Sequence, residues 1–230
     1  MKKILAALLL TLPTLAVAVD LEGFYITPKG GTSKSMDTGV ANYGELGDTY
    51  YFNDEDLGTG YAFGLSAGKY ITNNFRIELE AMKRGSYEYD SLLVISPTDG
   101  FRGDITSKSL FINSLYDFNG FSLGNRSISP YIGGGIGISR NEMGATDGMN
   151  GGVPNGNVLN PNSINQFAYK LSAGTLVGMT ESISIDINYQ YVNLGSFKSG
   201  TVYQTGAIET PLNGGEIKTQ ELMVGLQYTF

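Results

Sequence analysis

The sequence predicts an all-β fold, an eight-stranded antiparallel up-and-down transmembrane β-barrel. Three observations predict it. Beyond residue 20, apolar side chains recur at every second position rather than at helical spacing. No apolar run in that region approaches the roughly 20 residues a spanning helix requires. The joints between the alternating segments are by turns short and long, which in an up-and-down barrel gathers every long joint at one end.

The chain opens with Lys2 and Lys3, an apolar stretch from Ile4 to Leu12, then Pro13 and the small-x-small site Ala16-Val17-Ala18. That order reads as a secretory signal peptide over residues 1–18, with residues 19–230 forming one exported domain. No cysteine follows the cleavage site, so no lipid anchor is expected at the mature N-terminus.

Eight segments then alternate. Leu21 to Ser33 is the least regular, with Pro28 inside it. Thr59–Ile71 sets Tyr61, Phe63 and Leu65 against Ala62, Gly64, Ser66 and Gly68. Phe75–Arg84 sets Phe75, Ile77 and Leu79 against Arg76, Glu78 and Glu80. Ile105–Phe118 places Leu110, Ile112, Tyr116 and Phe118 opposite Ser109, Asn113 and Asp117, with Phe111 and Leu115 blurring the pattern. Pro130–Arg140 opposes Ile132, Ile136 and Ile138 to Tyr131, Gly133, Gly135 and Gly137. Gln166–Val177 opposes Phe167, Tyr169 and Leu171 to Lys170, Ser172 and Gly174. From Ser182, Ile183, Ile185, Ile187 and Tyr189 alternate with Ser184, Asp186 and Asn188. Finally Leu222, Val224, Leu226, Tyr228 and Phe230 alternate with Glu221, Gly225, Gln227 and Thr229. Because Cβ atoms alternate across a strand, each segment is a ribbon with one oily and one polar or small face.

Tight turns follow the second and sixth segments, at residues 70–75 and 177–182, and a modest link follows the fourth, at 119–129. Long joints near 34–58, 85–104, 141–165 and 193–218 follow the odd-numbered segments and are expected to be external loops. In the second, Tyr87, Tyr89, Leu92, Leu93, Val94 and Ile95 are more apolar than a free loop needs, so either the flanking strands extend there or the patch contacts a partner. Both termini then lie on the periplasmic side. A soluble barrel would bury the oily face; the glycine-rich opposite face suits a narrow interior, and the oily face suits lipid.

The residue inventory narrows function. Cysteine and histidine are both absent, which removes thiolate chemistry and the usual general base and metal ligand, so neither enzyme nor cofactor is expected. Acidic residues number 22 against 15 Lys plus Arg, leaving no basic footprint for nucleic acid. The charged share of 16% is low beside the roughly 25% of soluble proteins. Arg76, Glu78, Glu80, Lys170, Asp186 and Glu221 fall on the interior faces, where charges must be paired. They form either a plug of ion pairs or the lining of a narrow pore, in which four acids against two bases would favour cations. In the first long joint, Asp54, Glu55 and Asp56 are a candidate cation site without the spacing of a known calcium loop, and a solvated turn explains them as well.

Ser129-Pro130-Tyr131-Ile132-Gly133-Gly134-Gly135-Ile136-Gly137 and Val224-Gly225-Leu226-Gln227-Tyr228-Thr229-Phe230, together with the signal segment, resemble the small bacterial outer-membrane β-barrel proteins of the opacity-protein and surface-antigen superfamily. The resemblance implies that the alternating strand carrying Val224, Leu226, Tyr228 and Phe230 is recognised by the barrel-assembly machinery. Relatives with a peptidoglycan-binding module continue beyond the barrel; here nothing follows Phe230, and no periplasmic domain is expected. The expected function is that of an outer-membrane structural or surface-exposed protein whose loops contact a host-cell ligand or other partner, set against a porin-like, cation-leaning pore. Outer-membrane lipids are its expected surroundings.

Overall fold

The computed structural model describes residues 21–36, 42–43, 56–93, 96–206 and 211–230. The signal segment 1–18 and the acids Asp54 and Glu55 lie outside these residues. Among the described residues the regular structure is β: β1 (Phe24–Ser35), β2 (Asn42–Tyr43), β3 (Thr59–Thr72), β4 (Phe75–Leu93), β5 (Ser96–Asp117), β6 (Phe121–Leu123), β7 (Arg126–Asn150), β8 (Val153–Leu159), β9 (Asn162–Gly178), β10 (Ile183–Lys198) and β11 (Leu212–Thr229). They form one antiparallel sheet in which long strands pair in the order β1-β3-β4-β5-β7-β9-β10-β11. β11 also pairs with β1, setting Gly30 opposite Val224 and Thr32 opposite Leu222. That pairing skips Thr27 and Pro28, as expected where a proline offers no N–H to the ladder. The short strands are additions: β2 pairs with β11, and β6 and β8 pair with β7.

Two of the expected long joints are largely strand. Near 85–104, β4 runs on to Leu93 and β5 starts at Ser96, paired from Tyr87 opposite Ile105 to Leu92 opposite Gly100. A register shift between Arg84 and Tyr87 breaks the strict alternation there, so the period-two signal stops at Arg84 although the strand does not. Near 141–165, β7 continues to Asn150 and returns as β8 through Gly151 and Gly152, both with positive φ. A Gly-Gly pair in that conformation matches the twist of a two-residue hairpin, so this glycine-rich composition marks a turn between strands. Near 193–218, β10 extends to Lys198 across bulges beside Gly195 before β11 begins at Leu212. Within the expected link 119–129, Gly124 at positive φ and Asn125 make the turn, and β7 already begins at Arg126, opposite Leu123 of β6.

The short turns stand as expected at the other end. Asn73 and Asn74 connect β3 to β4, and residues 179–182 connect β9 to β10, where Thr180 Oγ1 accepts from the Ile183 N–H at 3.0 Å. Between the ends, the two faces of the sheet differ as the alternation requires. Phe63, Leu65, Leu79, Ile112, Ile136, Leu171, Val224 and Leu226 are each more than half exposed, while the intervening side chains are buried. A continuous exposed apolar surface of this kind marks contact with a partner or a membrane.

Candidate functional site

The buried face divides into two tiers, and the charged one lies toward the short turns. The parity that carries Arg76, Glu78 and Glu80 inward from β4 continues through Met82 to Arg84, and all are buried. Lys29 on β1, Asp117 on β5, Lys170 on β9, Asp186 on β10 and Glu221 on β11 face the same space. Glu80 sits at its centre. One carboxylate oxygen accepts from Lys170 Nζ at 2.6 Å and the other from Lys29 Nζ at 2.9 Å. Lys29 also reaches Glu78 at 3.4 Å, and Glu78 accepts from Asn113 Nδ2 at 3.0 Å and the Tyr25 hydroxyl at 3.3 Å.

A second cluster surrounds Glu221. Arg84 grips it with two nitrogens, Nε at 2.6 Å and Nη2 at 3.1 Å, the fork geometry that makes arginine–carboxylate pairs strong. Ser33, Thr219 and Gln190 donate to the same carboxylate, and Ser33 also hydrogen-bonds Tyr87. A third cluster lies nearest the turns. Arg76 Nε donates to Asp117 at 3.0 Å and Nη1 to Gln227 at 3.2 Å, with the Tyr131, Tyr25 and Tyr70 rings 4.6–5.8 Å from its guanidinium carbon. Asp186, expected among the ion pairs, makes none among the described residues; it accepts from the Tyr131 hydroxyl at 2.6 Å and from Asn188. The space enclosed among these side chains is about 10 Å³, lined by Lys29, Arg76, Glu78, Asn113, Lys170 and Asp186 among others.

Glycines on the same face make room for the rings. A Cβ on Gly68 would lie 2.3 Å from the Tyr25 ring, and one on Gly174 would lie 2.6 Å from the Tyr131 ring. Each tyrosine therefore lies over a neighbouring strand that has no side chain at that point.

Above the charges, toward the long hairpins, the buried face turns apolar. Tyr87, Tyr89, Ile105, Phe111, Met143, Leu194, Phe197 and Ile217 pack with Leu57, Leu159 and Leu212 in one cluster, with Tyr89 edge-on to Phe197 at 5.6 Å. Asn141 ties this tier to the bulge of β10, donating to the Leu194 carbonyl at 2.7 Å and the Ser196 carbonyl at 2.8 Å.

All six interior residues named from the sequence are thus buried, and Lys29, Arg84 and Asp117 join them. With them, five acids face four bases, which replaces the four-to-two balance on which a cation preference rested. The signal for Arg84 and Asp117 was simple parity; Lys29 lay hidden in the irregular first segment. Val224, Leu226, Tyr228 and Phe230 are exposed on the oily face, and the Phe230 N–H donates to the Phe24 carbonyl at 2.9 Å. Of the acidic trio only Asp56 is described; it is exposed and its carboxylate accepts from the Gly58 N–H, a local turn. No group of three acids arranged for a metal occurs among the described residues.

A family model for the outer membrane protein beta-barrel domain matches residues 4–230. Outer membrane protein PagN of Salmonella typhimurium is 25% identical over 94% of this chain and 93% of its own length. A putative adhesin of Rickettsia bellii is 23% identical over 84% of this chain and 85% of its own. Among solved structures, Neisserial surface protein A superposes with a TM-score of 0.56 at 18% identity, covering 91% of this chain and 98% of that one. OprG of Pseudomonas aeruginosa gives 0.52 at 13% identity, covering 91% and 96%. The chain belongs to the outer membrane protein beta-barrel domain family, a bacterial outer-membrane protein with its long hairpins at the cell surface and its termini on the periplasmic side.

Proposed function

We propose that the eight long strands close into a barrel sealed to ions, and that its external hairpins form an adhesive surface directed at a host-cell ligand. Residues 1–18 then serve as the export signal for the single barrel domain 19–230. Closure is supported by the pairing of β1 with β11, which leaves no sheet edge in lipid. The observation that carries the reading is the filled middle of the interior, above a cavity of about 530 Å³ at the short-turn end. A space of about 10 Å³ among the charges is below or at the size of one water, and the apolar tier stands above it. A chain that conducts nothing must act through what it displays. What it displays is the continuation of β4, β5 and β7, with β8 added, beyond the apolar band. The Rickettsia bellii relative is named a putative adhesin, which agrees with this reading.

The pore remains the rival, and one pair of measurements separates the two. Replacing residues 148–157 by Asn-Gly rejoins Asp147 and Val158, which are register partners in β7 and β8. The shortened protein should keep heat-modifiable gel mobility and lose attachment to cultured epithelial cells. In planar bilayers the full chain should be silent. Steady openings whose selectivity changes in Lys170→Gln, with attachment unaffected by the shortening, would favour the pore.

A further inference from the structure

On the lipid-facing side of the sheet, three cations stand in one row. Lys83 on β4 is the register partner of Lys108 on β5, which is the partner of Arg140 on β7, and all three are exposed. Directly opposite side chains have Cβ atoms about 4.5–5.5 Å apart, and like charges placed so are destabilising. Neither lysine has an ion-pair partner among the described residues, and Arg140 donates only to the Ser163 hydroxyl at 2.8 Å. The acids of this face begin one row further out at Glu142, which lies opposite Thr106, and continue with Glu88 opposite Asp104.

The height of the row identifies its counter-ion. One row toward the periplasm on the same face stand Ala81, Leu110 and Ile138, again register partners, and Leu110 and Ile138 are 44% and 63% exposed. On the next strand Phe63, the partner of Lys83, stacks on Tyr61 at 5.7 Å, an aromatic pair placed as interfacial girdles are. The cations therefore sit where the apolar band ends and headgroups begin. We propose that Lys83, Lys108 and Arg140 form a binding row for phosphate groups of an anionic lipid headgroup in the external leaflet. This rests on the barrel reading above, which sets that face against lipid. A soluble sulfated glycan would meet the acidic rows further out before reaching these cations, so a lipid is the better match.

The test uses the full chain in phosphatidylcholine nanodiscs doped with diphosphorylated lipid A or its dephosphorylated form. Wild type should bind the phosphorylated lipid selectively. Each cation near an anionic surface contributes about five-fold in affinity, so Lys83→Gln/Lys108→Gln/Arg140→Gln should bind about a hundred-fold more weakly. Arg102→Gln, which removes an exposed cation already paired with Asp90, should bind as wild type. In pure phosphatidylcholine, Lys108→Gln should raise the unfolding midpoint or leave it unchanged, since it relieves the like-charge row. Equal binding of both lipid forms, unchanged binding by the triple variant, or a lowered midpoint for Lys108→Gln would each overturn the proposal. So would displacement by millimolar inorganic phosphate, which would mean a free-anion site, or a loss confined to heparin binding, which would mean a glycan site. A wild-type chain lacking heat-modifiable mobility in phosphatidylcholine would instead overturn the barrel reading.

Discussion

Glu80→Ala is expected to destabilise the folded protein by about 3–5 kcal/mol, the cost of stranding a buried partner charge. Its carboxylate is fully buried and bridges two ammonium groups, Lys29 at 2.9 Å and Lys170 at 2.6 Å. Removing it leaves two buried cations with one remaining ion pair among the described residues, Lys29 to Glu78 at 3.4 Å. Urea unfolding in lipid vesicles measures the loss. Replacing all three residues by apolar ones, Lys29→Met/Glu80→Leu/Lys170→Met, should recover most of it, because the dominant cost is uncompensated charge rather than lost attraction. Asp90→Asn, which breaks the exposed pair with Arg102, should leave the midpoint where it was. A Glu80 variant no weaker than the Asp90 variant would mean that water or ions reach the inner charges, and with it the sealed interior would fail.

The second large effect concerns assembly rather than stability. Phe230→Ser should sharply reduce folded protein in the outer membrane while synthesis and signal removal continue. Folded, the residue has little to lose: its side chain is 48% exposed, and its ring touches Tyr228 at 5.0 Å. Its main-chain bond to Phe24 survives any substitution except proline. A strong insertion defect would therefore act before the strand is paired, when the alternating Val224, Leu226, Tyr228 and Phe230 face is free to be recognised by the assembly machinery. Phe75→Ser, at another aromatic of the same end, is the comparison. Equal and mild defects in quantified outer-membrane fractions would reduce Phe230 to one more girdle residue.

The strands were legible because a membrane-type sheet writes its two faces into every second residue, and Arg76, Glu78 and Glu80 could be placed together from parity alone. What parity missed has local causes. The register shift after Arg84 ended the period-two signal, so the outward continuation of β4 showed only as a joint more apolar than a free loop needs. Glycine and asparagine in β7 and β8 read as loop because Gly151 and Gly152 do make a turn, but one between paired strands. The apolar tier was not legible at all. Phe111 blurred its own segment for a physical reason, since it faces inward as part of the cluster and not toward lipid. Its companions Leu57, Leu159 and Leu212 come from positions scattered across the chain, and only the folded sheet assembles them.

Closure of one sheet around the paired charges can be tested directly, because the sequence contains no cysteine. Thr32 and Leu222 are register partners across β1 and β11, and both are exposed on the oily face. In protein isolated from outer membranes, Thr32→Cys/Leu222→Cys should form an intramolecular disulfide on mild oxidation, detected by a mobility shift that reductant reverses. The offset pair Thr32→Cys/Val224→Cys should not. Failure of the matched pair to cross-link in chains that are folded and membrane-inserted, or equal cross-linking by the offset pair, would contradict closure in this register.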